Sequence, residues 1–183
     1  MAARRAHVLV GFPTGGAATP GNAAREVLAE LLRRGERSVG AAMEAEGLAF
    51  RVEVEHLEGT DAGHLLVAVE TAPQNVDTVV TRLRSIFASL RDRAVSDDVL
   101  AASRGRAAAA CADRLGAPAT RAETLLRAEL AGIPPADALA RPGRILTVSA
   151  EELGETARRH LARDHEVLVV VGPEPEEPEA DDE

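Results

Sequence analysis

Residues 48–71 read LAFRVEVEHLEGTDAGHLLVAVET. The first ten residues alternate: Leu48, Phe50, Val52 and Val54 project one way, and Arg51, Glu53 and Glu55 the other. A strand has a side-chain period of two, so this segment is half-buried, with one face on a core. The turn EGTDAG leads into a second alternating run, HLLVAVET, and the two runs form a β-hairpin.

Working outward, HVLVGFP at residues 7–13 is a third strand. The Gly/Pro loop TGGAATPGN and a helix with Val27, Leu28, Leu31 and Leu32 at helical spacing come next, and Gly35 stops that helix. A short helix over 37–46 ends at Gly47, a natural C′ residue. Beyond the hairpin, Val76, Val79, Val80, Leu83, Phe87 and Leu90 trace one stripe on a long helix. Another helix begins at Ser96, with Asp97 and Asp98 where its dipole favours acids. Pro118 and Thr120 open a further helix. Ser149 and Glu152 form a capping box, with Val148 placed to staple onto Leu153, in a helix expected to end near Asp164. EVLVVVG is a continuous apolar run, which reads as a central strand covered on both faces. Strands at both ends with helices between them predict an α+β domain over 1–173, a mainly antiparallel sheet with helices on one face. The acidic, proline-rich residues 174–183 read as a disordered tail.

The 183 residues carry 45% apolar side chains but only three Phe and no Trp or Tyr, so the core rests on Leu, Val and Ala. All 21 basic residues are arginine, and the net charge is −9. That charge and the scarcity of aromatics argue against nucleic acid, and no run is long enough for a membrane span. A cytoplasmic location is the expectation. The single cysteine, Cys111, lies in AAAACA and reads as a buried, inert thiol.

Strand, Gly-rich loop, helix is also the order of phosphate-binding loops. Here no lysine is available for a P-loop, Gly11-Phe12-Pro13 breaks the G-x-G-x-x-G spacing, and Pro13 and Pro20 remove backbone donors. The loop is read as a plain connection, and no cofactor is expected. His56 and His64 bracket the hairpin turn with Asp61 between them, a weak basis for a metal site. His160 and His165 are five apart, a spacing that does not stack ligands on one helix face. HExxH, HxxEH and G-x-S-x-G are all absent, so the sequence holds no self-sufficient catalytic centre and no metal site is expected.

In order and spacing, four phrases resemble the insulinase/pitrilysin family of metallopeptidases, which includes mitochondrial processing peptidase. They are HVLVGFP with its loop and the helix ending LAELLRR; RSVGAAMEAEGLAFRVEVE, similar to SRLFxxLRExxGLAYxV; HLLVAVETAPQNVDTVVTRLRSIFASL; and RILTVSAEELGETARRHLARDHEVLVVVGP. The resemblance covers about residues 6–173 and is to the family's zinc-free half-domain. It implies one half of a clam-shell, paired with a zinc-bearing HxxEH subunit or domain around a peptide substrate. The family's substrate-contacting Arg falls on Arg37, and its Tyr falls on Phe50, which lacks the hydroxyl. A phenol aimed at a developing oxyanion is worth ~2.7–4 kcal/mol, so activity that relied on it would be impaired. Two alternatives stay open for each residue: Phe50 as a substrate contact or as core, Arg37 as a donor to peptide carbonyls or as a solvated helix-start residue. The family's additional strand before HVLVGFP is reduced here to MAARRA, which leaves open a fragment boundary or an edge for a partner. A catalytically dead assembly scaffold is the alternative function.

Overall fold

The computed structural model describes residues 5–35 and 38–173; Arg37 and the tail 174–183 lie outside them. Among the described residues four strands form one antiparallel sheet in the order β2-β3-β1-β4. They are β1 (Ala6–Gly15), β2 (Arg51–Glu58), β3 (Ala62–Thr71) and β4 (Val167–Val171). Among the described residues eight α-helices join the sheet: α1 (Asn22–Arg33), α2 (Val39–Ala45), α3 (Val76–Asp92), α4 (Asp97–Gly116), α5 (Pro118–Leu130), α6 (Pro135–Leu139), α7 (Arg141–Leu146) and α8 (Ala150–His160).

The strand register explains the burial. Val8, Val10 and Phe12 of β1 face Val69, Val67 and Leu65 of β3, and Val52, Val54 and His56 of β2 face the same three residues. These rows point at the helices, and the β1 and β3 members are at most 2% exposed. The expected long stripe is α3's buried face, and Phe87 meets Phe12 edge-to-face with ring centroids 5.1 Å apart. Ser38 caps α2 through Ala41 N–H, and Ser149 with Glu152 makes the full capping box of α8. That helix ends at His160, earlier than expected, and a 3-10 turn spans Arg163–His165. Cys111 is 4% exposed on α4.

Two expectations are corrected. The run VLVVV is not central: among the described residues β4 is the sheet's outer strand beside β1, and its five residues are 37–59% exposed. A continuous apolar run has no periodicity with which to tell an edge strand from a central one. Phe50 is not core but 62% exposed. It sits in a bend one residue ahead of β2, whereas Val52 and Val54 within the strand are half-buried.

Candidate functional site

At the far end of the helix-facing row of β2, valine gives way to His56 and Glu58. The hairpin turn behind them packs against the Gly/Pro loop. Ala17 N–H donates to Gly59 C=O at 2.9 Å. A Cβ on Gly16 would lie 2.3 Å from Thr60 O, so only glycine fits that approach. Gly21 takes φ 84° at the entry to α1, a conformation that also favours glycine.

Arg25, in the first turn of α1, closes the loop. Its side chain is 2% exposed. Its guanidinium donates to the carbonyls of Pro20 (3.1 Å), Gly16 (3.2 Å) and Thr19 (3.3 Å), and lies 3.8 Å from Glu58 Oε1. The loop is therefore a strand-to-helix connection whose carbonyls are tied to a buried cation. A phosphate cradle would instead present free N–H groups.

Beside it, Arg141 of α7 bridges Glu26 of α1 (2.7 Å) and Glu58 of β2 (2.6 Å), and Arg114 of α4 lies 3.5 Å from Glu26. Burial pushes the Glu26 carboxyl above its usual range against the pull of Arg141 and Arg114. Burial also lowers the pKa of Arg25, opposed by Glu58, yet a guanidinium stays charged across the accessible pH range. His56 faces this group of cations. Burial first, then Arg25 and Arg141, hold its imidazole down to about 4, so it is neutral at pH 7. His160 is lowered as well, by burial and then by Arg25. Arg25 Nε, His56 Nε2, Glu58 Oε1 and Arg141 Nε are buried without a protein hydrogen-bond partner.

The network borders a cavity of about 420 Å³, where Glu26, Glu58, Arg141, Cys111, Arg114 and Thr120 contribute to the wall. Burial raises the Cys111 thiol pKa, which leaves little thiolate for nucleophilic attack. The carboxylates of Glu26 and Glu58 are held in ion pairs rather than poised as an acid and a base. Among the described residues no three His, Cys, Asp or Glu side chains gather as a metal site. His56 pairs with Leu65 on the helix-facing side, whereas His64 pairs with Leu57 on the other, so the turn does not bring the two histidines together.

Of the two residues placed by resemblance, Arg37 lies outside the described residues. Phe50 projects beside the sheet's corner, where the Arg5 guanidinium sits 5.2 Å from its ring centroid and also pairs with Glu70. The buried network was not anticipated. A signal for it was present in α1, because Arg25 lies three, four and seven residues before Leu28, Ala29 and Leu32, inside the apolar stripe.

An antiparallel sheet roofed by helices, with a buried network of Arg25, Glu26, Glu58 and Arg141 at one end, defines an α+β fold. A family model described as the peptidase M16 inactive domain matches residues 2–105, and the chain belongs to that family. Solved structures share the fold. The inactive peptidase domain of a protein assigned as a zinc protease in Bordetella parapertussis superposes with a TM-score of 0.82 at 16% identity, covering 94% of this chain and 96% of that one. A protease from Helicobacter pylori gives 0.81 at 14% identity, covering 92% and 41%. A peptidase M16 inactive domain from Pseudomonas fluorescens gives 0.78 at 16%, covering 93% and 41%. In the last two comparisons this chain spans less than half of its counterpart. No curated protein matches the chain. Among the described residues no helix is long and apolar enough to cross a membrane.

Proposed function

We propose that this chain is the non-catalytic half of a cytoplasmic peptidase-like pair, joined to a zinc-bearing HxxEH subunit or domain and closing a peptide-binding chamber with it. The match to the inactive domain over residues 2–105 carries the reading. The exposed position of Phe50 at the sheet's corner supports it. In this role Arg37 donates to substrate carbonyls, and Phe50 supplies apolar contact where a hydroxyl would otherwise polarise the carbonyl. The alternative is an assembly scaffold that touches no peptide.

The test is to isolate the partner by co-purification from the source cell and to reconstitute the pair. Arg37→Ala is expected to leave association intact and to lower peptide turnover about 10-fold or more, the cost of one charged donor to a carbonyl. Phe50→Tyr is expected to raise turnover by restoring the phenol. A pair that works equally well with Arg37→Ala and is indifferent to Phe50→Tyr would establish the scaffold reading instead.

A further inference from the structure

The two edges of the sheet are built differently. β2 exposes Arg51, Glu53 and Glu55, charges that discourage pairing with another chain. β4 is a straight run of five aliphatic residues with no charge, proline or glycine, paired only with β1 among the described residues. Every one of its side chains is at least 37% exposed. An edge of this kind leaves a row of N–H and C=O groups to be satisfied by another strand.

We propose that the outer edge of β4 pairs antiparallel with the β4 edge of a second copy, about a two-fold axis at Val169. The strand is self-complementary in that frame. Val169 meets its own copy, Leu168 meets Val170, and Val167 meets Val171, so every cross-strand pair is aliphatic. The faces agree as well. Val167, Val169 and Val171 pair with Gly11, Leu9 and His7, on the side of the sheet away from the helices, while Leu168 and Val170 share the helix side with Val10 and Val8. An axis at Val169 places odd residues opposite odd residues, and both helix layers fall on the same side of one eight-stranded sheet. A slip by one residue would set the two faces against each other.

The contact uses only five residues per chain, less than the ~800 Å² per partner of a stable dimer, so the association is weak and concentration-dependent. This inference does not rest on the peptide-chamber reading, since it concerns only the full chain by itself.

Sedimentation velocity of the full chain from about 5 to 500 µM brackets an association of this strength. The wild type is expected to shift from monomer to dimer across that range. V169K and V169E are each expected to stay monomeric while keeping the wild-type melting temperature, because the side chain is 47% exposed. An equimolar mixture of the two variants is expected to regain the dimer through the Lys–Glu pair at the axis. As a check on register that does not use position 169, the double variant V167K/V171E is expected to dimerise and V167K/V171K to remain monomeric. A wild type monomeric throughout, a dimer untouched by V169K, or a mixture that fails to re-associate would each overturn the proposal.

Discussion

His56 offers a direct reading of the buried charges through pH. The imidazole titrates near 6.5 when exposed and is held to about 4 in the fold, by burial and by the facing cations Arg25 and Arg141. Its folded pKa lies below its unfolded one, so the unfolded chain takes up the proton first as pH falls. The stability linked to neutral His56 is therefore complete above the unfolded value and is lost progressively as pH drops from 6.5 toward 4. For that separation the loss between pH 7 and pH 5 is about 2 kcal/mol, or about 1–2 once partial exposure of the ring is allowed for. In a domain of this size each kcal/mol moves the melting temperature by about 2–4 °C, so the expected excess drop is roughly 2–8 °C. Glu26, raised by burial, works in the opposite direction, and His160 in the same one. The quantity to read is thus the difference between the wild type and His56→Leu, in which those two groups are common. Thermal melts followed by circular dichroism at pH 7 and pH 5 supply it. The wild type should lose more than the variant over that interval. Equal losses, or a larger loss in the variant, would show that the imidazole is not kept neutral by its surroundings.

Arg25→Ala removes the cation that three loop carbonyls and Glu58 share, and is expected to cost about 3 kcal/mol, a fall in melting temperature of about 6–12 °C. Arg25→Lys should recover only part of this, since an ammonium cannot span the same acceptors; a fall under 2 °C for the alanine variant would contradict the loop's dependence on the guanidinium. Cys111 is buried with a raised thiol pKa, so a disulfide reagent at pH 8 is expected to label the native chain at least roughly 100-fold more slowly than the denatured one. Labelling at similar rates would mean that α4 opens readily.

Where side chains alternate or recur, the sequence already contained the structure. The hairpin, the stripe of α3 and the capping box of α8 follow from local spacing and appear at the expected places. The edge position of β4 is not legible because VLVVV is uniform, and that position depends on which strands take the two edges of β1, a property of the whole chain. α6 and α7 went unanticipated because elements of five and six residues are too short to show a period. The buried network was legible only in part. Arg25 stands out against the apolar stripe of α1, but Glu58, its ion-pair partner, and Arg141, which shares that carboxylate, come from segments 33 and 116 residues away. Phe50 shows the limit of face assignment: it sits in a bend one residue ahead of β2, where alternation no longer fixes burial, and its ring meets Arg5.

The pairing of β1 also orders the making of the protein. Its inner edge can be met once the hairpin has left the ribosome, but its other edge is joined to β4, with His7 opposite Val171 at a separation of 164 residues. Until Val167–Val171 are synthesised, β1 carries an open row of backbone donors and acceptors next to some of the most apolar side chains of the core. Contacts of such long range form slowly, and an edge held open for so long is where a nascent chain is most exposed to mispairing. Among the described residues, the strand that closes β1 is therefore the last element to be made, and its own outer edge takes over as the exposed one.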